Sequence, residues 1–105
     1  MVSDKLLESI VNRIVEVYHP EKIILFGSLV DGTYTERSDI DLLLIKDTHE
    51  HPVDRAAVIR RSLRDILLPM DILVYTPDEI EKDRQRKYSF IYHVLTSGKV
   101  LYARQ

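Results

Sequence analysis

The chain has 105 residues with a formal net charge of −2, so length fits one domain over residues 1–105 and charge provides no general attraction to nucleic acid. It has no cysteine, which excludes disulfides and thiolate metal sites and fits a cytoplasmic protein. No apolar run approaches the roughly 18 residues of a membrane span, and Met1-Val-Ser-Asp-Lys has no apolar signal core, so no membrane association is expected.

Leu6, Leu7, Ile10, Val11, Ile14, Val15 and Tyr18 recur at three- and four-residue spacing and predict an amphipathic helix over residues 4–18. Ser3 or Asp4 can cap it, and Pro20 stops it. Lys22 to Phe26 reads as a buried strand, because Ile23 to Phe26 is short, apolar, β-branched at its start and closed by Gly27. Gly27 allows a sharp turn that exposes N–H groups, and the Ser28 hydroxyl follows, so this turn can cradle phosphate oxygens. After a gap of ten residues Asp39-Ile40-Asp41 opens a second strand, Ile40 to Ile45. Alternation puts Asp39 and Asp41 on one face, their Cα atoms roughly 6.5–7 Å apart, and Ile40, Leu42 and Leu44 on the other. Adjacent carboxylates are costly unless solvated, protonated or bridged by a cation, and an oxygen-only ligand set suits Mg²⁺.

Lys46 to Pro52 is a polar loop, in which His49 and His51 read as solvated residues. Residues 53–67 predict a second helix with Ala56, Ala57, Ile59, Leu63, Ile66 and Leu67 inward. Arg55, Arg60, Arg61 and Arg64 then form an outer basic face, either solvated or a partner surface. Met70 to Tyr75 is a third strand, interrupted by Asp71. That acid is either a strand-start residue facing water or the third member of a carboxylate site with Asp39 and Asp41. Thr76-Pro77-Asp78-Glu79 is a helix start with cap, proline and capping-box glutamate, running toward Arg86. Ser89 to Thr96 is more apolar and helical, with Gly98 at its end. Tyr88 and Tyr92 pack in the core or form an oligomer or partner surface, and Lys99 to Tyr102 reads as a final edge strand. The order implies an α/β (α+β) domain, a small mixed β-sheet with helices packed on one face.

Gly27-Ser28, the ten-residue gap, Asp39-Ile40-Asp41 and the later acid-bearing strand together resemble the signature of the DNA polymerase beta-like nucleotidyltransferase superfamily. The form Phe-Gly-Ser…Ser-Asp-Ile-Asp-Leu-Leu is most similar to its minimal nucleotidyltransferases, antitoxin-type proteins often partnered with HEPN-domain proteins. The resemblance implies the nucleotidyltransferase fold and a short helix opening at Ser28. It implies that Asp71 completes a catalytic and metal-binding triad with Asp39 and Asp41. Such a triad can hold two Mg²⁺ ions about 3.5–4 Å apart. Asp39 and Asp41 would be shared by both ions, and Asp71 would serve the acceptor side. Gly27 and Ser28 would bind the terminal phosphates of ATP. The implied reaction moves AMP from ATP to a hydroxyl, a tyrosine of a HEPN toxin, and releases pyrophosphate. The alternative is an idle nucleotide- or partner-binding antitoxin that neutralises its partner by contact. One departure stands out: the family often has Arg before the glycine at position 32, where this chain has Asp31.

Overall fold

The computed structural model describes residues 2–32 and 39–105, so the connecting-loop residues expected between Gly32 and Asp39 lie outside the described residues. Helix α1, Asp4–Tyr18, begins where the Ser3 side chain accepts the Leu6 N–H at 3.1 Å, and ends as His19 turns left-handed at φ 53° before Pro20. Its last turn has no basic residue of its own. Lys46 supplies one from outside, its Nζ donating to the carbonyls of Tyr18 at 2.7 Å and His19 at 3.3 Å, where the helix dipole is negative.

Four strands form one sheet: β1 (Lys22–Phe26), β2 (Ile40–Ile45), β3 (Met70–Tyr75) and β4 (Lys99–Ala103), in spatial order β3-β2-β1-β4. β1 runs antiparallel to β2 and to β4, which takes the expected edge position, while β2 and β3 are parallel. Alternation then creates two faces. On one, Ile23, Leu25, Ile40, Leu42, Leu44, Ile72 and Val74 pack against α1 and helix α3 (Ala57–Ser62). On the other, Ile24, Leu43 and Ile45 pack against Ile80 of α4 (Pro77–Arg84) and Ile91 and Val94 of α5 (Phe90–Ser97).

Helices on one face only was therefore the wrong expectation. The physical reason lies in β2, where Leu42, Leu43, Leu44 and Ile45 are all buried: an unbroken apolar run needs cover on both sides. Among the described residues no helix is long and apolar enough to cross a membrane.

The segment expected as one helix over 53–67 is instead a 3-10 turn, Pro52–Asp54, followed by the short α3. Ser62 turns its hydroxyl back onto the Ile59 carbonyl at 2.8 Å, and the Leu63 N–H is shared between the carbonyls of Ile59 and Arg60, which closes the helix. Ala57 and Leu67, expected inside, are exposed. Arg55, expected outside, is only 6 % exposed.

Arg55 donates from Nε to the Glu50 carbonyl at 3.1 Å and from Nη1 to the Val74 carbonyl at 3.1 Å and to Glu79 Oε1 at 2.7 Å. Glu79 also accepts the Thr76 N–H at 2.8 Å, while Thr76 accepts the Glu79 N–H, which completes the expected capping box of α4. One guanidinium thus ties the loop after β2, strand β3 and helix α4 together.

Removing that tie strands the Val74 carbonyl and the Glu79 carboxylate. Arg55→Ala is expected to lower unfolding free energy by about 1–3 kcal/mol, read as a lower urea midpoint. The Arg55 hydrogen bond holds the Glu79 carboxyl below the ordinary value of 4.5. Because the folded value is the depressed one, this stabilisation is complete above pH 4.5 and fades as pH falls through the folded value. The stability gap between the native chain and Glu79→Gln should therefore close on acidification, which denaturant melts across that range would record.

Candidate active site

Phe26 ends β1, and the chain turns at Gly27 with φ +80° and ψ −152°, a conformation open essentially to glycine alone. A Cβ built there would collide with Oδ2 of Asp41. The turn therefore needs glycine twice over, for its backbone and for its closeness to the acid. Helix α2 (Ser28–Asp31) follows, the N–H groups of Val30 and Asp31 both donating to the Gly27 carbonyl at 3.0 and 3.2 Å. The short helix opening at Ser28 is thus present, and Gly32 ends it at φ +82°. Asp31, where the family often has Arg, is its exposed last residue.

The strand registers bring the acids in. Asp41 pairs with Phe26 of β1 on one side and with Asp71 of β3 on the other. Residues paired across neighbouring strands share a face, about 4.8 Å apart. Phe26, Asp41 and Asp71 therefore form one row across three strands, on the face that α4 and α5 cover further along. Asp39 lies just before β2, two residues from Asp41, and is exposed, as is Asp71; Asp41 is half-buried. Burial raises the Asp41 carboxyl above its ordinary value, and the charge of Asp71 and then of Asp39 adds to the rise.

The structure thus brings Gly27, Ser28, Asp41 and Asp71 to one end of the sheet, with Asp39 in electrostatic reach. Among the described residues none of the ion pairs involves Asp39, Asp41 or Asp71, and no group of three or more His, Cys, Asp and Glu is arranged to hold a metal ion. The donor chemistry nonetheless fits a hard divalent cation, because two facing carboxylates and a third close by are all oxygen ligands and no cationic side chain among the described residues pairs with them. His49 and His51 are exposed and stand apart from this set; His51 caps the 3-10 turn by accepting the Val53 N–H at 3.4 Å. A cavity of about 510 Å³ lies elsewhere, along β3, lined by Val53, Arg55, Arg60, Val74 and Glu79.

One feature beside the site was not anticipated. Phe90, at the start of α5, packs edge-on against Phe26, ring centroids 5.3 Å apart at 81°. Tyr88 and Tyr92, allowed either core or surface, form an edge-to-face pair at 6.5 Å, with Tyr88 exposed at φ 70°. Parity could have placed Phe26 beside Asp41; nothing local could have found Phe90.

Residues 8–105 match the family model described as polymerase beta, nucleotidyltransferase. The chain belongs to that nucleotidyltransferase family. A Methanocaldococcus jannaschii protein named "putative protein adenylyltransferase" is 36% identical over 97% of this chain and 100% of its own length. Among solved structures, a "putative nucleotidyltransferase" from Sulfolobus solfataricus superposes with TM-score 0.66 at 26% identity, covering 95% of this chain and 79% of its own. The structure described as a toxin-antitoxin with AMP-PNP superposes with TM-score 0.65 at 21% identity, over 93% of this chain and 73% of its own, and so shares the fold. This nucleotidyltransferase accordingly has the mixed sheet of its structural relatives.

Gly27→Ala forces both a strained backbone and a displaced Asp41. We expect it to lose about 1–3 kcal/mol of stability in chemical denaturation, while Gly32→Ala, which meets no atom within 4 Å, loses only the part due to backbone strain.

Proposed function

We propose that this nucleotidyltransferase is an Mg²⁺-dependent adenylyltransferase that moves AMP from ATP to a protein hydroxyl and releases pyrophosphate. The observation that carries the reading is Asp41 facing Asp71 in register, with the Gly27-Ser28 turn pressed against Asp41. The relative named as a protein adenylyltransferase, similar over nearly the whole chain, supports AMP as the group moved and a protein as its acceptor.

Asp39, Asp41 and Asp71 would hold the cations, whose role is to offset charge on the attacking and leaving oxygens. The Gly27 backbone and the Ser28 hydroxyl hold the terminal phosphates and so fix the α-phosphorus beside Asp41. Asp71 stands on the far side of Asp41 from that turn and faces the acceptor. The acceptor oxygen attacks the α-phosphorus as the bond to the β-phosphate oxygen breaks; Asp71 takes the hydroxyl proton and pyrophosphate leaves. Most of the acceleration then comes from in-line positioning and charge balance.

The acceptor we favour is a tyrosine of a HEPN-domain toxin, for which this chain is the antitoxin. The motif resemblance supports that choice, and so do neighbours of the same fold solved as toxin–antitoxin assemblies. A second reading, neutralisation by contact with an idle site, is favoured by Asp31, since an acid at the end of α2 opposes a bound triphosphate.

Three measurements test these readings. Calorimetry with a non-hydrolysable ATP analogue and Mg²⁺ should show binding by the native chain that Asp41→Asn abolishes; a folded native chain that binds nothing would refute the enzyme reading. ATP labelled at its α-phosphate should label the partner in the presence of the native chain only. If Asp39→Asn with Asp41→Asn still neutralises the partner fully, contact rather than transfer is the function.

A further inference from the structure

We propose that Phe90, standing on Phe26, is the seat for the base of the donor nucleotide. The inference rests on the nucleotidyltransferase reading of the acid site and adds the subsite that a row of acids and a phosphate-holding turn leave unassigned. A nucleoside triphosphate has two chemically distinct ends. The phosphates call for cations and N–H groups, whereas the base calls for a flat apolar surface.

Sheet order decides where that surface lies. Across one face the row runs Phe26, Asp41, Asp71. Phe26 is therefore on the side of Asp41 away from Asp71, next in the chain to Gly27 and Ser28. The donor's side of the site is the side with the aromatic ring, and the acceptor's side is the one with Asp71.

Phe90 extends this ring surface. Its ring meets Phe26 edge-on at 5.3 Å between centroids, an arrangement in which one ring face is not covered by the other. Phe90 keeps 45% of its surface exposed although α5 buries Ile91 and Val94 completely or nearly so. Its ring is therefore not what anchors the helix. Its position is nevertheless fixed. Ser89 caps α5 by accepting the Tyr92 N–H at 3.1 Å, and its hydroxyl donates to the Asp83 carbonyl at 2.9 Å, which fastens the start of α5 to the end of α4. An aromatic ring held in place, half exposed and seated on the residue paired with Asp41 is a stacking platform that loses little freedom when a base settles on it.

The test separates the base from the phosphates. Calorimetry in Mg²⁺ would compare ATP with inorganic tripolyphosphate, for the native chain and for Phe90→Leu, which keeps an apolar contact with Phe26 but removes the flat ring. Loss of one base–aromatic stack should weaken ATP about 5- to 100-fold and leave tripolyphosphate unchanged. Phe90→Trp should restore ATP affinity, a rescue that a merely structural residue would not show. Equal ATP affinity in the native chain and Phe90→Leu would overturn the proposal. So would normal ATP binding with a raised KM for the acceptor, which would give the ring to the acceptor instead. A native chain that binds tripolyphosphate but loses nothing on Phe90→Leu defeats the base seat alone; one that binds neither probe defeats the acid-site reading and the base seat with it.

Discussion

Two like charges held in register organise this molecule. Asp41 and Asp71 face each other across a parallel strand pair, an arrangement that opposes folding when no cation is present. The rows behind them hold the register. Leu42 pairs with Ile72, Leu43 with Leu73 and Leu44 with Val74. A slip of one residue in β3 would carry Asp71 onto the face covered by α1 and α3, where Ile40, Leu42 and Leu44 are all but inaccessible. The apolar pattern therefore specifies the site by making every alternative pairing worse. Gly27 adds the third dimension by laying the turn after β1 directly against Asp41.

The two cores have different tasks. The larger, beneath α1 and α3, fastens β1, β2 and β3 on the face opposite the acids. The smaller, beneath α4 and α5, occupies the same face as the acids but covers the rows beginning at Ile24 and Leu43. Phe26 lies at the boundary, partly packed against that core and paired with Asp41. The acids and the packing thus share one surface, divided by a single row of the sheet. Arg55 keeps the division in place by tying α4 to β3 through Glu79 and the Val74 carbonyl.

The fold and site were legible in the sequence where the signal is local. The caps at Ser3 and Thr76 lie within three residues of the groups they satisfy, and both form. Strand parity put Asp39 and Asp41 on one face, and the acid in an apolar strand marked Asp71. Glycine after a buried strand marked the turn. What could not be read depends on residues far apart. Arg55 looks like part of a basic surface stripe until Glu79, 24 positions on, arrives to balance it. Leu67 fits a helical period, but the helix closes after Ser62 and leaves it in solvent. The second covered face had a local sign, the unbroken run from Leu42 to Ile45, which the alternation of the acids drew attention away from. The contact of Phe90 with Phe26 spans 64 positions and had no local sign.

The hydrogen bond from Arg55 to Val74 has a consequence for how the molecule meets its own kind. β3 is an outer strand of the sheet, and such a strand is a template on which another chain can lay a strand of its own. Here a guanidinium already occupies the Val74 carbonyl, and it is neutralised by Glu79. An incoming strand would have to displace a charge-assisted bond and leave a buried cation behind. The same arginine that fastens α4 therefore guards this border of the sheet against edge-to-edge aggregation, which leaves β4, across the sheet, as the border where further strands could add.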